Sequence, residues 1–189
     1  MASQKIERRT AMTKCHLIGN GSSKTLYQYE NGDHTYLCNM PTPHLNSLGT
    51  FVRDRAVANL YLDGTFSAGQ IFCDESVASY LKMGGYGGRV LPYLPQGANV
   101  GIQAVQYLAN HYQTVELWGF DSLCSGSLES EMGDHILFCP DDEHDIQAWA
   151  VGWHRDVLNQ FPNNEFILNK PSLQGFEKIY LKEMLKIRH

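Results

Sequence analysis

Short apolar runs alternate with amphipathic stretches along this chain, and most of the runs end at Gly, Asp or a polar turn. The runs at Cys15–Gly19, His34–Cys38, Ala56–Leu62, Gln70–Cys73 and Arg89–Leu91 predict strands, as do Val115–Trp118 and Glu165–Leu168. Near-continuous apolar strands of this kind fit a sheet covered on both faces. Helical spacing fills the intervals. Glu75–Met83 starts from a cap at Asp74 or Ser76 and closes at Gly84-Gly85. Val100–His111 sets Ile102, Val105, Leu108 and Ala109 on one face. Asp145–Phe161 carries Trp149, Trp153, Val157 and Phe161 at helical spacing and stops at Pro162. Phe176–Ile187 turns Ile179, Tyr180, Met184 and Leu185 toward a core and leaves Lys178, Lys182 and Lys186 as an exposed row. Strands alternating with helices predict an α/β fold of three layers around a mostly parallel sheet.

A length of 189 residues suits one domain, with residues 1–13 as an N-terminal arm and 174–189 as a C-terminal helix. Hydrophobic residues at 43% and charged residues at 19% support a packed core rather than disorder. A formal net charge of −5 argues against bulk electrostatic binding of nucleic acid. No apolar run reaches the roughly 20 residues that span a bilayer. The polar start, Met-Ala-Ser-Gln-Lys, has no apolar signal core. A cytoplasmic protein without a membrane partner is the expectation. The five cysteines are odd in number, widely spread and lack a CxxC, which predicts buried free thiols. Cys139 with His135 and His144 matches no zinc spacing. A homo-oligomeric contact through Tyr86-Gly87-Gly88 or the C-terminal helix stays open.

In open α/β sheets ligands bind beyond the carboxyl ends of the strands, at a switch point. Four strand-end or helix-start segments stand out there. Gly19-Asn20-Gly21-Ser22-Ser23 follows the first strand, and two glycines around Asn permit a tight turn and a close approach of backbone to ligand. It is not the GxGxxG fingerprint, since position 24 is Lys, and no P-loop pattern occurs. Asn39 follows the second strand and offers an amide that reads a base or sugar, or ties a turn. Gly97, Asn99 and Gly101 lead into a helix start with its partial positive charge. Asp121 follows a buried strand, where it binds a sugar hydroxyl, orients a base or caps a turn. The acidic stretch Glu129–Asp145 admits three readings. His135 or His144 serves as a general base held by a carboxylate; Asp141, Asp142 and Glu143 hold Mg²⁺ or Mn²⁺; or the stretch is a solvated loop before a helix.

Taken in order, Gly-Asn-Gly-Ser-Ser, Cys38-Asn39, Gly97-x-Asn99-x-Gly101 and Leu117-Trp-Gly-Phe-Asp121 resemble the bacterial sialyltransferases of glycosyltransferase family 42. The set is also similar to related Rossmann-like proteins of the DUF115 group, many of them phage-encoded. The resemblance covers about Lys14 to Leu168. It implies a single Rossmann-like domain that binds a nucleotide or nucleotide-sugar, with transfer of a sugar from the nucleotide as the reaction. By position, Gly19, Asn20, Gly21, Ser22, Ser23 and Asn39 would cradle the nucleotide. Gly97, Asn99 and Gly101 would lie beside the phosphate and Asp121 near the sugar, with His135 or His144 as base. Ser22 stands where the family has Pro, and Leu37 where it has Arg. A non-catalytic protein that holds a nucleotide, such as a phage protein sequestering a host nucleotide signal, is the alternative.

Overall fold

The computed structural model describes residues 12–39, 46–66, 69–92, 99–121, 123 and 151–185. Eight strands of these residues form one sheet: β1 (Met12–Ile18), β2 (Thr35–Cys38), β3 (Gly49–Phe51), β4 (Gln70–Cys73), β5 (Arg89–Pro92), β6 (Tyr112–Trp118), β7 (Glu165–Ser172) and β8 (Gly175–Tyr180). Their order is β5-β4-β3-β2-β1-β6-β7-β8. Every pair is parallel except the last, β7 with β8. The chain therefore winds outward from β1 to β5, returns through α3 (Val100–Ala109) and winds outward again from β6. The switch point lies between β1 and β6, which pair from Met12↔Tyr112 to Ile18↔Trp118. This is the predicted α/β architecture, a Rossmann-like domain with a mostly parallel sheet.

Alternation along the strands divides the core. Cys15 and Leu17 of β1, with Val115 and Leu117 of β6, face α3 and Trp153 in one cluster. On the other face α1 (Arg55–Leu62) and α2 (Glu75–Met83) bury Val57, Ala58, Val77, Ala78 and Leu81 against Ile71 and Cys73. Asp74 caps α2 by accepting the Val77 N–H at 2.8 Å, and Gly85 leaves it with φ +79°. The β1–β6–β8 half of that second face has no described α-helix over it. The segment after the 3-10 helix Ser22–Leu26 lies there instead and packs Tyr27 on Ile18, Leu37 and Trp118.

Several expected elements take another form. Ala56–Leu62 is not a strand but lies in α1, capped by Asp54, whose carboxylate accepts the Ala56 N–H at 2.8 Å. An apolar run of seven residues fits either period, and the aspartate cap decides it. The C-terminal helix over 174–189 is also corrected. Residues 175–180 form β8, the return arm of a hairpin whose turn is completed by Gly175 at φ +118°, and among the described residues beyond it Leu181–Met184 is helical. Lys178 is accordingly no member of a solvated helical row: its ammonium donates to Glu116 at 2.8 Å. β3, three residues long, is too short for its spacing to mark it as a strand. Residue 12 already belongs to β1, so the N-terminal arm stops short of residue 13. Of the helix expected from Asp145, residues 151–153 are helical and His154–Leu158 wind as a π-helix, with Trp153 and Val157 buried as their spacing requires. Cys15, Cys38 and Cys73 are buried free thiols. No helix of the described residues is long and apolar enough to cross a membrane.

Candidate functional site

The ends of β1 and β6 meet at the switch point through backbone. The Gly19 N–H donates to Trp118 O at 2.6 Å and the Gly21 N–H to Gly119 O at 2.8 Å. Gly119 sits at φ +69°, a region that costs little only for glycine. A Cβ on Gly119 would come within 2.7 Å of Gly19 O, and one on Gly19 within 2.5 Å of Gly119 O. A Cβ on Gly21 would overlap the Asp121 carboxylate. The close approach that these glycines make is to the neighbouring loop.

Side chains lock the same junction. Asp121, 5% exposed, accepts the Ser23 N–H on Oδ2 at 2.8 Å. The Ser23 hydroxyl in turn accepts the Gly119 N–H at 2.8 Å. Ser22 opens the 3-10 helix behind Gly21, which has no side-chain cap. Asn20 reaches sideways and donates from Nδ2 to Cys38 O at 3.2 Å, tying the β1 end to the β2 end. Asn39 comes next in the chain at φ +71°, a conformation that Asn tolerates better than most residues. Its N–H donates to Phe51 O at 2.7 Å, and its carbonyl accepts from the Tyr61 hydroxyl at 2.7 Å. Burial pushes that tyrosine up, so it stays a donor.

The start of α3 completes the group. Asn99 caps it, with Oδ1 accepting the Gly101 N–H at 2.7 Å. A Cβ on Gly101 would lie 2.9 Å from the Phe120 ring, which places the first turn of α3 against the β6 end. Gly19–Ser23, Asn39, Asn99–Gly101 and Asp121 thus occupy one crest of the sheet. Gly97, His135 and His144 lie outside the described residues, as do Asp141, Asp142, Glu143, Cys124 and Cys139. Among the described residues no group of three or more His, Cys, Asp or Glu is arranged to hold a metal ion.

A second set of polar side chains falls outside the candidates that the sequence singles out. His16, 4% exposed, stands opposite Glu116, also 4% exposed, across the β1–β6 pairing. The Trp118 indole N–H donates to His16 Nδ1 at 3.3 Å. Lys178 and Lys14 flank Glu116 Oε1 at 2.8 and 4.0 Å. Asp33 accepts from the Tyr27 hydroxyl at 2.8 Å and from the Glu30 N–H at 3.1 Å. Burial pushes the His16 ring below its ordinary range, against the pull of Glu116 and Asp33. Burial would raise the Asp33 carboxyl, but those two hydrogen bonds, with His16 and Lys14, hold it below its ordinary range. The one signal in the sequence is polar Lys14 and His16 alternating with apolar Cys15 and Leu17 in β1, which marks a half-polar face.

Comparison with protein-family models, with curated proteins and with solved structures finds no match to this chain.

Proposed function

We propose that this chain binds a nucleotide or nucleotide-sugar across the β1, β2 and β6 ends and the start of α3, in the manner of the family 42 glycosyltransferases its segments resemble. The convergence of four sequence-distant segments on the switch point carries the reading: Asn20 bonds to Cys38 O, Ser23 to Asp121, and Gly101 abuts Phe120. An open α/β sheet takes its ligands at that crest. The first turn of α3 supplies N–H groups and partial positive charge for a phosphate. In the transfer reading, His135 or His144 takes the proton of an acceptor hydroxyl while the nucleotide leaves with its phosphate held at the helix start. Mg²⁺ or Mn²⁺ would assist that departure.

One observation favours binding without turnover as a second reading. Asp121 and Ser23 are both engaged in holding the two loops together, which supports a preformed crest over proton transfer by these two residues.

Thermal stabilisation tests both readings. The panel is CMP, CDP, UDP, GDP, ADP, cyclic nucleotides, CMP-sialic acid and UDP-sugars, with and without Mg²⁺. A ligand selective for the folded state at a hundredfold excess over its Kd adds about 2.7 kcal/mol of stability. One nucleotide class is expected to raise Tm. Its recovery unchanged after long incubation with candidate acceptors supports binding alone, and its hydrolysis or transfer supports catalysis. No shift with any member rejects the nucleotide reading.

A further inference from the structure

The half of the sheet that no described α-helix covers holds a cavity of about 290 Å³ between β1, β6, β8, the end of the 3-10 helix and the segment after it. It is separate from the strand-end crest, and a ligand in it is independent of the nucleotide reading. Its floor is His16, Glu116 and Trp118, and its rim is Lys14, Glu30 and Phe176. Phe176 is 42% exposed, so the cavity opens to solvent on that side. The volume lies near the lower end of small-molecule sites, which run from about 300 Å³.

The hydrogen bonding of the floor is incomplete in one place. The Trp118 indole occupies His16 Nδ1 as its acceptor, which assigns the ring proton to Nε2. That buried Nε2–H has no hydrogen-bond partner among the described residues. The Asp33 Oδ1 acceptor is 3.7 Å away, too far for a direct bond. A buried donor left unpaired is costly, so a group that satisfies it is favoured there. Between a fixed donor and a fixed carboxylate acceptor, the matching group must accept from one and donate to the other. A hydroxyl does both. An ammonium cannot accept and a carboxylate cannot donate.

Charge narrows the choice further. Lys14 and Lys178 oppose Glu30, Asp33 and Glu116 around the cavity, so an ion of either sign meets a like charge. Phe176 and Trp118, with ring centroids 4.8 Å apart, add an apolar wall on the β8 side. Such a wall suits the C–H face of a compact ring or chain bearing several hydroxyls.

We propose that this cavity is a binding site for a small neutral polyol of monosaccharide size, one hydroxyl of which bridges His16 Nε2 and Asp33 Oδ1. The test is nitrogen-15 NMR of the full chain, monitoring the Trp118 indole and His16 imidazole signals while glycerol, myo-inositol, D-ribose or D-glucose is added. At least one probe is expected to move both signals to saturation below about 50 mM. Phe176→Ala, a change at the exposed rim, is expected to weaken that probe at least about fivefold in a chain that still unfolds cooperatively. Asp33→Asn should weaken it too, and if that variant does not fold the Phe176 variant decides. Absence of a saturable shift with all four probes overturns the proposal, the site then holding water alone. Sodium phosphate or arginine acting at lower concentration than any polyol also overturns it, as does an affinity that Phe176→Ala leaves unchanged.

Discussion

A histidine near two carboxylates ordinarily gains affinity for its proton, but His16 loses it. Burial outweighs the attraction of Glu116 and Asp33, and the indole bond to Nδ1 favours a neutral ring. This fixes the sign of the pH dependence. The unfolded chain takes up a proton at this residue near its ordinary value of 6.5, whereas the folded chain resists to lower pH. The stability tied to this histidine is therefore whole above pH 6.5 and is lost as pH falls from there toward the folded value. The slope in that window approaches about 1.4 kcal/mol per pH unit. Urea midpoints at pH 7.5 and 5.5 measure it: the wild-type chain should lose more stability than His16→Gln over that interval. Equal losses would mean that the ring takes up its proton as readily in the fold as in the unfolded chain. Residue-level legibility obeys the same division between local and paired features. Gly19 and Gly21 are readable as positions of close approach, because two glycines around an asparagine after a strand have a local cause. His16 with Glu116 is not, because a hundred residues separate them and only the strand register sets them opposite.

At the scale of elements, periodicity locates most strands and α2 and α3. Where it fails, capping or turn geometry decides. The run at Ala56 fits both periods, and Asp54 makes it helical. The run at Phe176 has helical spacing at Ile179, Tyr180, Met184 and Leu185. Pairing with β7 instead sets Lys178 opposite Asn169 and Tyr180 opposite Ile167. That pairing is tertiary, and no local spacing announces it. The same logic makes Asn99 the element-scale test, since its side-chain amide oxygen caps α3. Asn99→Ala should cost about 1 kcal/mol in a urea melt, and Asn99→Ser should recover most of it. A loss in both variants alike would show that the amide does something in the fold beyond capping.

For the molecule as a whole, the three described cysteines report on whether the sheet opens as one body. Cys15 and Cys38 lie in the α3-facing cluster, and Cys73 lies in the cluster under α1 and α2. Burial raises all three thiols, Cys38 and Cys73 to about 12. At mildly alkaline pH their thiolate fraction is then about a thousandfold below that of a free cysteine, and reaction requires opening. The joint between the two clusters is β3, which pairs with β4 only through Thr50↔Ile71 and Phe51↔Phe72. A ladder this short is weak by itself. Phe51 and Phe72 reinforce it by stacking at 4.7 Å, and both belong to the α3-facing cluster although β4 also carries Cys73. The two cores therefore share a strand and should unfold together. With Cys124 and Cys139 changed to Ser, pulsed alkylation read by mass spectrometry should give the three thiols one common urea midpoint. A lower midpoint for Cys73 alone would mean that the β3–β5 half opens by itself, leaving the β1–β6 switch point on the half that stays folded.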